Sequence, residues 1–419
     1  MNSMKKIIIA EIGLIAAFAV GLFVGYLWFN SDGNYEQYYE RAEQAWRKAQ
    51  KADNPPVTLD DPDQKRVRKV RALYREIVHK YADSPWGDDA LQRLGTIARY
   101  EEEQFALFRR LINNYPDSDW TDDALYVIAV SQYRIAEKKK VAETPEAASA
   151  YYQRALVLFD QLIQEYPGSI LVNESRLSRA LCYYAQGNLG RALEAFDVLK
   201  TDFRDNVLIH SVMYYSGKTY FAKREYETAR TEFRNVVDSG HPELGPSAQI
   251  GIAQTYLAEK EYEEAIKAYR RAIDKYPETS IAEDTHFYIG KAYELLEQYD
   301  DAIAQIEQAI RDYPRNENVP NYLSLLAKIY YLNDDTQGSI ETYRKIAENP
   351  TLGYDTRREA QYTIGKIYET TEDIQMALEE FTKLLKEFPE PHNYPGHPSN
   401  NINENYLQKL QTRLQTGGL

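Results

Sequence analysis

Cysteine is nearly absent: Cys182 is the only one in 419 residues. An internal disulfide is therefore excluded, and so is a structural zinc site built on several thiolates. Histidine is thin as well, with six residues scattered at positions 79, 210, 241, 286, 392 and 397. His392 and His397 share a loop, yet no carboxylate or thiol spacing around them marks a metal site. Neither a Gly-x-Ser-x-Gly elbow nor an H-E-x-x-H helix occurs. No catalytic residue, metal or cofactor is assigned on this basis, and an enzyme is not expected. Positive charge is in deficit too: 50 Lys and Arg against 64 Asp and Glu leave a net charge of −14. A body of that sign is a poor partner for nucleic acid or for acidic surfaces. Proline and glycine are sparse away from the turns, which favours an all-helical chain.

What is present begins with a false lead. Gly217-Lys218-Thr219 is the second half of the phosphate-loop signature, but Val212 stands where that signature requires its first glycine. Gly290-Lys291 and Gly365-Lys366 repeat the dipeptide, and Ala327-Lys328 nearly does. A phosphate loop is normally present once per domain; recurrence at even spacing is a structural period. The markers Ala180, Gly217, Ala253, Gly290, Ala327 and Gly365 follow one another at 37, 36, 37, 37 and 38 residues. Each is followed after three residues by tyrosine (183, 220, 256, 293, 330, 368) and after twelve by a small residue (192, 229, 265, 302, 339, 377). Four positions further on stand Phe196, Phe233, Tyr269, Ile306, Tyr343 and Phe381. Tyr-Pro or Phe-Pro stops such as those ending at Pro277, Pro314 and Pro389 close the units, because proline biases its predecessor away from helix.

This pattern resembles the tetratricopeptide repeat, which alternates a Gly-x-x-Tyr helix with an Ala-x-x-x-Phe helix before a proline. The small residues let two helices of a hairpin cross closely, and the aromatics fill the space around the crossing. The resemblance implies an all-α chain: a right-handed superhelical solenoid of helix hairpins. The units exceed the usual ~34 residues, as in bacterial cell-envelope repeat proteins such as the outer-membrane-assembly lipoprotein and the periplasmic partner of the Tol-Pal system.

The expected organisation has four parts. Residues 1–30 form a cytoplasmic stub and a transmembrane signal-anchor, and residues 31–84 an N-terminal helical pair. The solenoid occupies residues 85–390, with about eight repeats of which the first two are irregular. Residues 391–419 form a loop and a capping helix marked by Ile402, Tyr406, Leu407, Leu410 and Leu414. Within the second irregular repeat, Thr144-Pro145-Glu146 reads as a helix start, so that two long helices form there, either as a projecting docking knob or as a tolerated insertion.

Residues 12–29 pass without a charge, enough for a membrane span, and Lys5 and Lys6 precede them. The apolar stretch is longer than an ordinary signal core, which favours an uncleaved anchor. The charges orient the N-terminus to the cytoplasm and the repeats to the periplasmic side of the inner membrane, in a single-pass topology. Unlike the lipoprotein relatives, the chain has no cysteine near the span to take a lipid. Gly13, Ala17, Gly21 and Gly25 recur every four residues and form a stripe on which two spans can associate. Beyond the membrane, Lys65, Arg66, Arg68, Lys69, Arg71 and Arg75 form a basic patch suited to anionic headgroups or an acidic partner.

By analogy with the family, the residue after each marker faces the concave side. Lys218, Lys291, Lys328 and Lys366 then make a ladder, flanked by Tyr214, Phe287 and Tyr362. Such a groove suits an extended segment with acidic side chains or a terminal carboxylate. The expected function is that of a membrane-anchored scaffold that mediates protein–protein interactions in the cell envelope. The alternatives are a self-associating structural component or an accessory subunit of a secretion or enzyme complex.

Overall fold

The structure is a computed structural model. It describes residues 39–45 and 64–416, except the single positions 85, 99, 143, 205, 278 and 395. Every regular element among the described residues is helical. None of these helices is long and apolar enough to cross a membrane. The expected span and its stripe, Gly13, Ala17, Gly21 and Gly25, lie outside the described residues. The chain divides into two compact units, residues 1–223 and 224–419.

In the first unit a short helical stretch, 39–45, precedes eight helices: α1 (Gln64–Lys80), α2 (Gly87–Thr96), α3 (Glu101–Asn114), α4 (Thr121–Ala142), α5 (Pro145–Glu165), α6 (Val172–Ala185), α7 (Leu189–Asp202) and α8 (Ile209–Ala222). Each packs against the next, and the alternate helices α4, α6 and α8 also touch in turn. The second unit holds α9 (Tyr226–Asp238), α10 (Leu244–Ala258), α11 (Tyr262–Lys275), α12 (Ser280–Leu295), α13 (Tyr299–Asp312), α14 (Val319–Leu332), α15 (Thr336–Ala347), α16 (Tyr354–Thr370), α17 (Ile374–Glu387), a 3₁₀ turn (Pro398–Asn401) and α18 (Glu404–Gln415). Here too neighbours pack in sequence order, while α10, α12 and α14 touch in turn.

The marker residues lie where paired helices cross. A Cβ added to Gly365 would meet the ring of Phe381 at 2.6 Å, and one added to Gly290 would meet Ile306 Cδ1 at 2.4 Å. Both partners are the apolar residues sixteen positions downstream that the period identified. The hairpin turns share one conformation. Gly187 has φ +76°, and Lys260, Glu297, Asp334 and Glu372 occupy the same place with φ between 58° and 65°. The following N–H bonds back to the tyrosine of the repeat: Asn188 to Tyr183 O, Glu261 to Tyr256 O, Gln298 to Tyr293 O, Asp335 to Tyr330 O and Asp373 to Tyr368 O. This is a Schellman turn, and its left-handed residue is usually glycine.

The tyrosine of the Tyr-Pro stop does more than precede a proline. Tyr166 donates from its hydroxyl to Pro116 O at 2.9 Å, and Tyr115 does the same to Ala82 O. These two stops are thereby tied back to the loop that opens their own hairpin, whereas the buried Tyr276 hydroxyl finds no such partner among the described residues.

The long α4/α5 hairpin starts its second helix as expected, with the Thr144 side chain accepting from Ala147 N–H at 3.2 Å. It is not a free knob. Ala136, Ala148 and Tyr152 pack with Ala185 at the end of α6, and Lys140 donates to Ala185 O at 2.7 Å. At the far end Ile402, Leu410, Tyr406 and Leu407 cover Phe381, Leu384 and Phe388, whereas Leu414 is exposed. Arg358, itself buried, donates to Phe388 O and to Ser399 O and so clamps the loop onto α16.

Candidate functional site

Gly217-Lys218-Thr219 lies inside α8, with its backbone spent on the helix and Thr219 Oγ1 donating to Tyr215 O at 2.7 Å. No phosphate-cradling loop exists at this position. Instead the helix aims Lys218 into a basket of tyrosines. Its ammonium lies 5.6 Å from the Tyr184 ring, 5.7 Å from Tyr214 and 5.5 Å from Tyr215. Tyr214 precedes Lys218 by one helical turn, whereas Tyr184 comes from the end of α6, so the basket needs two helices. Burial lowers the Lys218 pKa, since the ammonium loses water; nearby Glu137 opposes the shift and Lys140 adds to it. Tyrosine faces replace part of the lost hydration through their quadrupoles.

Glu137 and Lys140 come from the last turns of α4, in the stretch that makes this hairpin long. Tyr152 on α5 donates to Glu137. The additional turns of α4 thus bring one acid and one base to the side of the lysine. A half-buried cation between aromatic faces, with a fixed carboxylate and a second amine nearby, is suited to recognising charge on another molecule.

The remaining ladder residues fare differently. Lys328 is exposed and paired with Glu294 of α12. Lys366 pairs with Glu369 on its own helix at 2.5 Å, and Glu369 also accepts from Tyr406 at 2.8 Å. Lys291 is exposed and takes part in no ion pair among the described residues. Phe287 stacks on Tyr322 at 5.7 Å, and Tyr362 sits between Phe381 and His397. Both aromatics serve helix packing. Sequence reasoning missed Tyr184, Tyr215, Glu137, Glu294 and Glu369. The surplus of tyrosine, 36 in all, was the one available signal.

Of the basic patch, Lys65 and Arg66 lie in α1, and Arg68 and Lys69 are exposed there. Arg71 and Arg75 both bind Glu103 of α3, at 2.5 Å and 2.7 Å. Two of the six cations are therefore held within the fold, sharing one carboxylate that offsets a single charge.

Among the described residues one trio, Glu359, His392 and His397, brings potential metal ligands within 4.8 Å of one another. The two imidazoles stack at 4.1 Å. Their Nδ1 atoms accept from Tyr394 N–H and Ser399 N–H, which leaves the protons on Nε2. A ring that accepts through one nitrogen and carries its proton on the other has no lone pair left for a metal. In this arrangement the trio fixes the loop.

Models of the tetratricopeptide repeat family match residues 216–278, 256–329 and 359–391. These segments are tetratricopeptide repeats. No curated protein matches the chain. Among solved structures it is similar to a tetratricopeptide repeat protein from Parabacteroides merdae, at 14% identity over 67% of this chain and 98% of that one, with a TM-score of 0.40. It is similar also to the C-terminal part of a repeat-containing protein from Cytophaga hutchinsonii, at 18% identity over 62% and 96%, TM-score 0.46. A signal-transduction ATPase with a tetratricopeptide repeat sensor from Pyrococcus horikoshii matches at 14% over 86% of this chain and 53% of its own, TM-score 0.48. Tetratricopeptide repeats are protein-interaction scaffolds, so partners are sought among peptides and other proteins.

Proposed function

We propose that this chain is a membrane-anchored scaffold that recruits a partner protein by an acidic segment, gripped at Lys218. The observation that carries the reading is the tyrosine basket, in which a desolvated ammonium stands among Tyr184, Tyr214 and Tyr215. A partner carboxylate gains more from a poorly hydrated cation than from an exposed one, because less water must be removed on binding. Anchoring rests on the sequence: a charge-free run over residues 12–29 behind Lys5 and Lys6, with the repeats on the periplasmic side of an inner membrane.

The test is purification of the full-length protein from its native membrane in mild detergent. A foreign protein recovered in stoichiometric amount, and lost with Lys218→Met at unchanged Tm, is the expected result. Recovery of a discrete oligomer of the chain alone, dissolved by Gly21→Leu, would favour the structural alternative, which rests on the small-residue stripe.

A further inference from the structure

A cavity of about 650 Å³ opens between α3 and α5, with α4 as its floor. That volume lies in the range of dedicated binding pockets, roughly 300–1,000 Å³. Leu125 and Ile128 of α4 form the base, while Ile112 and Leu158 line the sides. Val157 stands on α5 with 57% of its surface exposed. In a chain with an excess of acid, no carboxylate lines this cavity. Its charged lining consists of Arg109 and Arg154, the latter laid over the Tyr151 ring at 5.0 Å.

One polar group singles the cavity out. Gln132 lines it, is only 4% exposed, and its Oε1 has no hydrogen-bond partner. Buried side-chain oxygens are normally satisfied, and an exception calls for a cause. An incoming N–H donor would supply one.

We infer that this cavity takes a short peptide segment of another protein, with apolar side chains on the Leu125–Ile128 floor, acidic ones on Arg109 and Arg154, and a backbone N–H donated to Gln132 Oε1. A peptide is preferred to an ionised fatty acid because only the peptide carries the donor that Gln132 lacks. The site uses the second helices of two hairpins and is separate from the lysine basket on α8, so it stands whether or not that reading holds.

The experiment uses full-length protein in detergent and an acetylated, fluorescein-labelled peptide of sequence Asp-Leu-Leu-Glu-Leu-Asp, followed by anisotropy. Saturable binding is expected in Lys218→Met protein, from which the lysine basket has been removed, and is weakened there at least tenfold by Arg109→Glu, by Arg154→Glu and by Val157→Asp. Gln132→Leu is expected to weaken binding while leaving Tm unchanged or raised, which a merely structural glutamine would not do. Absence of binding, or binding that these variants leave intact, overturns the inference. So does saturable binding of decanoate in place of the peptide, which would make the cavity an amphiphile site. A dimer in sedimentation that Val157→Asp dissociates would overturn it as well, by placing a second copy on this face.

Discussion

Lys328 on α14 reaches back 34 residues to Glu294 on α12, and the two form an ion pair between successive repeats. Glu294 keeps only 9% of its side-chain surface exposed, against 55% for Lys328. Removing the lysine leaves the carboxylate partly desolvated without a counter-charge. Lys328→Glu is therefore expected to lower stability by about 1–3 kcal/mol, measured by urea unfolding. Lys291→Glu disturbs no such pair and is expected to change stability by less than about 0.5 kcal/mol. Only the second variant is a clean test of partner binding; a large loss of stability in Lys291→Glu would contradict this assignment.

The hairpin turns predict a stabilising set. At Lys260, Glu297, Asp334 and Glu372 the chain holds a left-handed residue that carries a Cβ, where the equivalent turn of the first unit uses Gly187. Glycine at such a position removes steric strain, although it also frees the unfolded chain. Lys260→Gly, Glu297→Gly and Glu372→Gly are each expected to raise stability by roughly 0.5–1 kcal/mol. Asp334→Gly should gain least, because aspartate tolerates this conformation better. A series of denaturation midpoints decides it; uniformly lower midpoints would mean that the side chains hold the turns by contacts.

These turns mark where the sequence was legible and where it was not. The 37-residue period located Gly290 against Ile306 and Gly365 against Phe381 because packing at a helix crossing demands small residues at fixed places. The Schellman turns escaped notice because four of the five left-handed positions cited carry no glycine. The Lys328–Glu294 pair was hidden too, since a spacing of 34 has no meaning until the repeats are stacked. At the lysine basket, Lys218 and Tyr214 were visible as neighbours on one helix. Tyr184 and Glu137 arrive from other helices, and Glu137 from turns that read as an insertion.

Crossing sites set a limit on side-chain size. Gly365→Ala would push a methyl into the Phe381 ring, a rigid and fully buried neighbour. Gly290→Ala meets the mobile end of Ile306. Overpacking of this kind costs about 1–3 kcal/mol, with Gly365→Ala at the upper end and Gly290→Ala at the lower. Thermal unfolding of the pair orders them; equal losses would show that the ring can shift as easily as the methyl.

Two aspartates at the starts of α2 and α4 carry the pH dependence. Burial raises the pKa of Asp89 to about 6 against the donated Trp120 indole N–H, and raises Asp123 to about 6 with Asp122 adding to it. A carboxyl whose folded pKa exceeds its unfolded value near ~4 binds more protons in the native state between those limits. Stability contributed by these groups therefore falls as pH rises from about 4 to about 6. Asp123→Asn is expected to flatten the slope of unfolding free energy across that window relative to the wild type. A parallel pair of curves would show that Asp123 ionises normally.

The last prediction concerns the end of the stack. Arg358 is buried on α16, and its guanidinium serves two carbonyls, Phe388 O and Ser399 O, on either side of the loop that leads to α18. Arg358→Met keeps much of the volume but leaves both carbonyls without that donor, at a cost of about 1–3 kcal/mol each where no water reaches them. That cost falls on docking of the loop and α18, which also rests on Tyr406 bonded to Glu369 at 2.8 Å. The expected outcome is local: faster proteolytic cleavage within residues 389–403, with cleavage elsewhere unchanged. Uniform acceleration along the chain would show that the cap and the repeats beneath it unfold as one.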